Sequence, residues 1–378
     1  MWLSAEEALK RLGVKPQTLY ANVSRGRINA RPDPADPRRS LYNGADVERL
    51  AHRPAGRRRA EAVAAEAIRW GDPILESAIS TVMAGRLWYR GQDAVVLAET
   101  ATLEDIAGLL WPLPEPLDLP GGTSDAPPGL ATALAEIAGR VPLMAPSQGR
   151  SGRVLRADAV EVLTVLAGAL CATGEGPLHQ RLARRWQRPR AADALRRALV
   201  LLADHELNTS TFAARVAVST GASLAAGIVA GLATLSGPLH GRASVGIAAL
   251  ADDLAGAQGR ISAALRDWLG EGRVIPGFGH PLYPGGDPRA ASLLASIETP
   301  PLFGELAAAG EALVGERPNV DFALAALAEA HDLPPQAPLE VFALARSVGW
   351  LSHMLEQAEN GVLIRPRARY TGIRPVLA

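Results

Sequence analysis

Three of the seven histidines sit in settings that suit chemistry. His205 lies in Ala203-Asp204-His205-Glu206-Leu207-Asn208-Thr209-Ser210-Thr211, a cluster of charge, amide and hydroxyl groups between two apolar stretches. Polar groups that become buried need partners, so this segment is either a satisfied polar core or the wall of a site. His240 stands in Gly237-Pro238-Leu239-His240-Gly241, and His280 in Pro276-Gly277-Phe278-Gly279-His280-Pro281-Leu282-Tyr283. Glycines around a turn let the backbone approach a ligand closely. A fourth candidate is Asp321 in Arg317-Pro318-Asn319-Val320-Asp321-Phe322, where the Pro-Asn pair breaks the chain and the acid falls in a first helical turn. An ordinary helix-start carboxylate is the competing reading there. His52 and His179 lie beside arginines and prolines in expected surface segments, and His331 and His353 in helices or helix ends.

Several chemistries are poorly supported. His205-Glu206 is not followed by a second histidine at the zinc-protease spacing, and no Cys-x-x-Cys exists, so no metal site is expected. No Gly-x-Ser-x-Gly elbow accompanies a histidine. The Gly277–Gly279 pair has neither a preceding strand nor the third glycine of a dinucleotide fingerprint. Two glycine-flanked histidines and one carboxylate remain. That set suits carbon-acid chemistry, in which a carboxylate takes a weakly acidic proton while a neutral imidazole donates a hydrogen bond to the forming enolate oxygen.

The elements that must position these groups read as helices. Residues 60–70 and 101–110 are helical in pattern, and 159–171 are almost wholly apolar, which predicts a helix buried on all sides. Residues 213–235 are rich in small residues, with Arg215 the only charge, and Ser-Thr-Gly at 219–221 breaks the run. This fits a close interhelix or subunit contact better than a membrane span. Residues 112–128 hold six prolines and read as a surface loop. Short strands are expected only near 88–90 and 93–97. The body is therefore all-α.

The 378 residues carry 39 basic and 39 acidic side chains, but residues 1–59 hold 13 basic against 6 acidic. A basic unit on an acidic body points to a polyanion partner for the first part. Ser4 with Glu7 has capping-box spacing, Gly13 ends a first helix, and Pro16 opens a second that stops at Gly26. Ser40-Leu41-Tyr42 reads as extended. One cysteine, Cys171, excludes a disulfide framework. Met1 leads straight into Trp2-Leu3-Ser4-Ala5-Glu6-Glu7 without a basic then apolar leader, so a cytoplasmic location is expected.

Residues from about 60 to 372 resemble citrate synthase. The resemblance runs through LADHELNTSTFAARVAVST at 202–220, GPLHGRAS at 237–244, PGFGHPLYPGGDPRA at 276–290 and RPNVDFALAAL at 317–327, with LWYRG at 87–91 and LIRPRARYTG at 363–372. The first 50 residues are similar to the MerR-like winged helix-turn-helix unit. The resemblance implies a large and a small helical domain, over 54–241 with 336–378 and over 242–335, preceded by a helix-turn-helix at 1–53. It implies a homodimer that condenses acetyl-CoA with oxaloacetate to citrate and CoA, with acetyl-CoA as co-substrate and no permanently bound cofactor. His240 would hydrogen-bond the thioester oxygen, His280 would polarise the ketone, and Asp321 would remove the methyl proton. His205, Arg289 and Arg365 would hold oxaloacetate, and Pro276, Gly277, Phe278 and Gly279 would border the acyl-CoA. In the N-terminal unit, Lys15, Gln17, Thr18 and Tyr20 would begin a recognition helix, and Arg25, Arg27, Arg38 and Arg39 would contact double-stranded DNA.

This chain also departs from the family pattern. Arg242 and Ser244 replace a glycine and an asparagine after His240, so a cation is expected beside that imidazole and could change its protonation. Propionyl-CoA as substrate, giving 2-methylcitrate, is therefore a second expectation. A DNA-binding regulator whose citrate-synthase-like body senses a metabolite is a third.

Overall fold

The computed structural model describes residues 2–12, 19, 23, 28–33, 36, 40–44, 46–47, 75–113, 117, 119, 126–171, 174–257, 259–368 and 370–372. The chain divides into two compact units, Met1–Glu76 with Arg367–Ala378, and Ser77–Pro366.

In the first unit, Ser4 and Glu7 cap each other as their spacing predicts. The Glu7 N–H donates to Ser4 Oγ at 3.3 Å, and the Ser4 N–H donates to Glu7 Oε2 at 2.8 Å. Helix α1 (Ala5–Leu12) starts from that box. Strands β1 (Trp2–Leu3), β2 (Ala30–Pro32) and β3 (Ser40–Asn43) form an antiparallel sheet in the order β1-β3-β2, with both Leu3 and Ala30 opposite Tyr42. Leu3, Ala8, Leu19, Ile28, Tyr42 and Val47 make its core. The recognition-helix residues Lys15, Gln17, Thr18 and Tyr20, and the basic residues Arg25, Arg27, Arg38 and Arg39, lie outside the described residues.

The second unit opens with a three-stranded antiparallel meander, β4 (Ser80–Met83), β5 (Arg86–Tyr89) and β6 (Gln92–Asp93). The strand expected over 93–97 is instead a cap and a helical turn, α2 (Ala94–Leu97). Asp93 Oδ1 accepts from the Val95 and Val96 N–H groups, and that cap prevails over the β-preference of two valines. The rest is helical: α3 (Leu103–Leu110), α4 (Leu130–Arg140), α5 (Gly152–Cys171), α6 (Leu178–Arg185), α7 (Ala192–Leu202), α8 (Thr209–Ser219), α9 (Leu224–Leu235), α10 (Ala243–Leu254), α11 (Ile261–Gly270), α12 (Pro288–Ala295), α13 (Pro301–Val314), α14 (Val320–Ala330) and α15 (Ala337–Asn360). The break expected at 219–221 separates α8 from α9. Only the end of α5, from Leu166 to Cys171, is buried on every side, and Glu161 is exposed. No described helix is long and apolar enough to cross a membrane.

Two apolar clusters organise this unit. The larger is built from β5, α2 to α9, α12, one side of α14 and α15, and the smaller from α10, α11, α13 and the opposite side of α14. Leu294 and Ile297 pack against both. Helix α15 runs through the larger cluster with most of its side chains buried. It comes closest to the turn before His205 at Gly349, whose N–H donates to the Ala203 carbonyl at 3.0 Å. A Cβ at Gly349 would lie 2.4 Å from both that carbonyl oxygen and Asp204 Oδ1. Because one obstacle is backbone, Gly349→Ala is expected to destabilise the fold by about 2–3 kcal/mol, read as a lower urea midpoint at unchanged slope.

Candidate active site

His205, Arg289 and Asp321 sit where a loop meets a helix, with side-chain caps at those junctions, while His240 and His280 lie in loops. Asn208 caps α8 by accepting from the Thr211 N–H at 3.1 Å, three residues after His205. Asp287 caps α12 by accepting from the Arg289 N–H, and Asn319 caps α14 by accepting from the Asp321 and Phe322 N–H groups. These caps place Arg289 and Asp321 in first helical turns, the latter as its spacing predicts.

The loop carrying His280 is tied to the loop carrying Asp321, although about 40 residues separate them. Phe278 and Pro318 form an antiparallel bridge. The Gly279 N–H donates to the Arg317 carbonyl at 2.9 Å, the Asn319 N–H to the Gly277 carbonyl at 2.8 Å, and Asn319 Nδ2 to the Gly279 carbonyl at 3.1 Å. Gly279 adopts φ +71°, a left-handed conformation that favours glycine, and a Cβ there would also displace the exposed Glu316 carboxylate. Pro276, Gly277, Phe278 and Gly279 are half-buried along this loop, with Phe278 against Phe322 at a ring separation of 5.5 Å.

Asp287 completes the tie. It forms a buried pair with Arg289 (Oδ2 to Nη2, 2.8 Å), and the same oxygen accepts from the Val320 N–H at 3.1 Å. Burial opposes its charge, but the Arg289 guanidinium prevails and holds its pKa below the usual carboxylate range.

The turn before α8 is held from the other side. Glu206 takes the left-handed conformation (φ +49°), unusual for a side chain with a Cβ. Its N–H donates to Ser80 Oγ at 2.9 Å, and its carboxylate accepts from the Val82 N–H and Thr81 Oγ1 of β4. Asp204 pairs with His353 Nε2 at 3.0 Å, both fully buried, and also accepts from Ser80 Oγ. The turn therefore directs His205 inward, where it is 7% exposed.

His205 and His280 meet edge-on with ring centroids 5.1 Å apart. The Leu282 N–H donates to His280 Nδ1 at 3.2 Å, which leaves the proton of the neutral ring on Nε2. His240 Nε2 is 2.8 Å from Ser210 Oγ, and Trp350 Nε1 donates to that oxygen at 3.1 Å. Burial lowers all three histidine pKa values, and neighbouring arginines add to the effect. His240 falls to about 4 through burial and Arg346, His280 to about 4 through burial and Arg289, and His205 falls well below its ordinary value. All three are neutral donors at physiological pH. Asp321 moves the other way. Burial, only partly offset by Arg289, pushes it up to about 6, and its Oδ1 is buried with no hydrogen-bond partner among the described residues.

Sequence reasoning missed three contributors. Arg346, on α15, is buried, donates from Nε to the Leu202 carbonyl, and acts electrostatically on His205, His240 and Asp321. Burial lowers its pKa only to about 10, so it remains a cation. Its position among apolar helix residues gave no local signal. Tyr283 and Asp204 stand in the segments singled out for His280 and His205, but their partners, His205 and His353, lie far along the chain. Arg365, by contrast, is exposed beyond α15 and outside this cluster. Arg242 is exposed too, and the cation acting on His240 is Arg346 rather than its near neighbour in sequence. His179, expected at the surface, is buried.

A helical unit that brings together neutral imidazoles, two buried guanidinium groups and a carboxylate of raised pKa holds the kinds of group that acid–base chemistry uses. Comparison with known proteins identifies the lineage. A profile described as "Citrate synthase, C-terminal domain" matches residues 161–367. "Putative citrate synthase 2" of Mycobacterium tuberculosis (strain ATCC 25618 / H37Rv) is 31% identical over 329 residues, covering 77% of this chain and 88% of that protein. "Citrate synthase 2" of Bacillus subtilis (strain 168) is 39% identical over 194 residues, 49% of this chain and 52% of that protein. The chain thus spans about half the length of the first curated relatives it matches. The crystal structure of citrate synthase from Thermotoga maritima MSB8 superposes with a TM-score of 0.62 at 26% identity, covering 82% of this chain and 96% of that one. The chain belongs to the citrate synthase family.

The raised Asp321 pKa has a stability consequence. The folded value of about 6 exceeds the ordinary 3.8, so holding the carboxylate ionised costs stability increasingly as pH rises from 4 to 6, and fully above that. Asp321→Asn removes this penalty, worth up to about 3 kcal/mol. Thermal unfolding should show the variant more stable than the parent at pH 8, with the difference shrinking towards pH 4.

Proposed function

We propose that this chain condenses acetyl-CoA with oxaloacetate to give citrate and free CoA. The observation that carries the reading is a half-buried Asp321 whose Oδ1 is enclosed without a hydrogen-bond partner among the described residues and whose pKa is about 6, under the influence of the same two buried arginines, Arg289 and Arg346, that act on the neutral imidazoles. Asp321 takes a proton from the acetyl methyl group. His240 donates a ring N–H to the thioester oxygen as it gains enolate charge; donation from Nδ1 requires the Ser210 hydroxyl, which donates to Asn208 Oδ1 at 2.8 Å, to turn to His240 Nε2 instead. The enolate carbon attacks the ketone of oxaloacetate, whose oxygen takes the hydrogen bond from His280 Nε2. Water then cleaves the citryl thioester, releasing the thiol. Arg289, Arg346 and His205 hold the two carboxylates, and the Pro276–Gly279 loop borders the acyl-CoA.

Thiol release from acetyl-CoA that requires oxaloacetate is the direct test. Its absence with both acetyl- and propionyl-CoA, in folded protein, would remove the reading, and the ratio of kcat/KM for the two thioesters decides between citrate and 2-methylcitrate. A homodimer is part of this proposal. Asp321→Asn is expected to lower kcat by about 10²–10⁴-fold with little change in oxaloacetate affinity. In the parent, kcat/KM should fall tenfold per pH unit below about pH 6, as the base becomes protonated.

A second reading adds DNA binding by the first unit. It rests on the net charge of +7 over residues 1–59 and on helix α1 combined with the antiparallel strands β2 and β3. The full chain should bind duplex DNA with an affinity that falls steeply between 50 and 200 mM salt, and a chain lacking residues 1–59 should not. Equal binding by both, or none at low salt, excludes it.

A further inference from the structure

Tyr283 is one of the buried polar side chains at the candidate site to which the condensation scheme gives no task. It is 2% exposed and lies three residues after His280. Its hydroxyl is 2.8 Å from His205 Nε2. Its ring packs against His280 with centroids 5.0 Å apart and lies under the Arg289 guanidinium at 5.2 Å. The side chain therefore touches three of the groups assigned to oxaloacetate. A cleft of about 150 Å³ reaches both His280 and Tyr283.

We propose that Tyr283 is a positioning residue for the oxaloacetate site: its O–H donates to His205 Nε2 and so fixes the tautomer in which His205 carries its proton on Nδ1, ready to donate to a bound 2-oxodicarboxylate. The part concerning oxaloacetate rests on the condensation reading above.

Proton bookkeeping carries the argument. A buried phenol must donate its proton to some acceptor. Among the described residues, His205 Nε2 is the one hydrogen-bond partner of the Tyr283 hydroxyl. The neighbouring Arg289 has no acceptor to offer, and His280 Nδ1 already accepts from the Leu282 N–H. Burial pushes the Tyr283 pKa up to about 12, so the O–H is retained at physiological pH. His205 is neutral, with a single ring proton. If that proton were on Nε2, it would face the phenol hydrogen across 2.8 Å or strand it without an acceptor. With the proton on Nδ1, both groups are satisfied, and the second ring nitrogen becomes a donor. Donation suits an anionic substrate, whereas the opposite tautomer would present a lone pair to a carboxylate. Phenylalanine would fill the same volume, so the hydroxyl alone is being assigned this task.

The experiment uses full-length protein labelled with nitrogen-15 in histidine. His205 signals are identified by their loss in His205→Gln, and long-range nitrogen–proton spectra report the tautomer directly. In the parent, His205 should be the Nδ1–H form. In Tyr283→Phe it should shift towards a mixture. Calorimetry should then show oxaloacetate binding about tenfold weaker, while KM for the acyl-CoA and kcat stay within about threefold. A parent His205 in the Nε2–H form overturns the proposal without reference to any variant. An unchanged tautomer in Tyr283→Phe, or an unchanged oxaloacetate affinity despite a changed tautomer, also overturns it. A parent that neither binds oxaloacetate nor releases thiol instead defeats the condensation reading, and the spectra still judge the tautomer assignment independently.

Discussion

Asp287 and Arg289 form a salt bridge with almost no solvent access, and the arrangement of the site hangs on it. The carboxylate does three things at once. It caps α12, neutralises the arginine, and accepts the first N–H of α14. Through the last of these, the helix that carries Asp321 is anchored to the residue that sets the charge beside His280. A buried pair of this kind contributes little net stability, because desolvation cancels much of its Coulomb attraction. Its value is geometric, since neither partner can move without leaving the other as an unpaired charge in the interior.

The electrostatics follow from that anchor. Two buried guanidinium groups, Arg346 and the Asp287-paired Arg289, act on the imidazoles, and burial removes the water that would screen them. Imidazoles in such a place cannot afford a proton, so they stay neutral and act as hydrogen-bond donors. A carboxylate in the same place should be held ionised by the arginines, yet burial prevails for Asp321, and it becomes a base near pH 6. Opposite displacements of acid and imidazole within one cluster are what proton abstraction beside a carbonyl requires. The strain is visible elsewhere too, in the left-handed Glu206 and in the unpartnered oxygens of Asp204 and Asp321.

Support for the site comes from elements far apart in sequence. Strand β4 holds the turn before His205 through Ser80, Thr81 and Val82, and α15 backs it with Arg346, Gly349 and His353. Trp350, on the same helix, reaches Ser210 and through it His240. One long helix thus contributes to the surroundings of two of the three imidazoles.

Much of this was legible in the residues alone. The helical body, the break between α8 and α9, the cap at Ser4, the helix start before Asp321, and the histidine and aspartate motifs all rest on local chemistry: periodicity, small-residue breaks and side chains that reach their own backbone. The Asp93 cap was misread as a strand because Val95 and Val96 carry a strand signal that one acceptor overrides. Arg346 could not be recognised, since it looks like an unremarkable residue of its helix until folding removes water from it, and the Tyr283–His205 and Asp204–His353 pairings join residues far apart in the chain. Sequence by itself determined which side chains could exchange protons and where helices begin. Tertiary structure decided which charges share a dry interior, and with them the protonation of every group in the site, because desolvation and Coulomb energy depend on distances that no linear spacing contains.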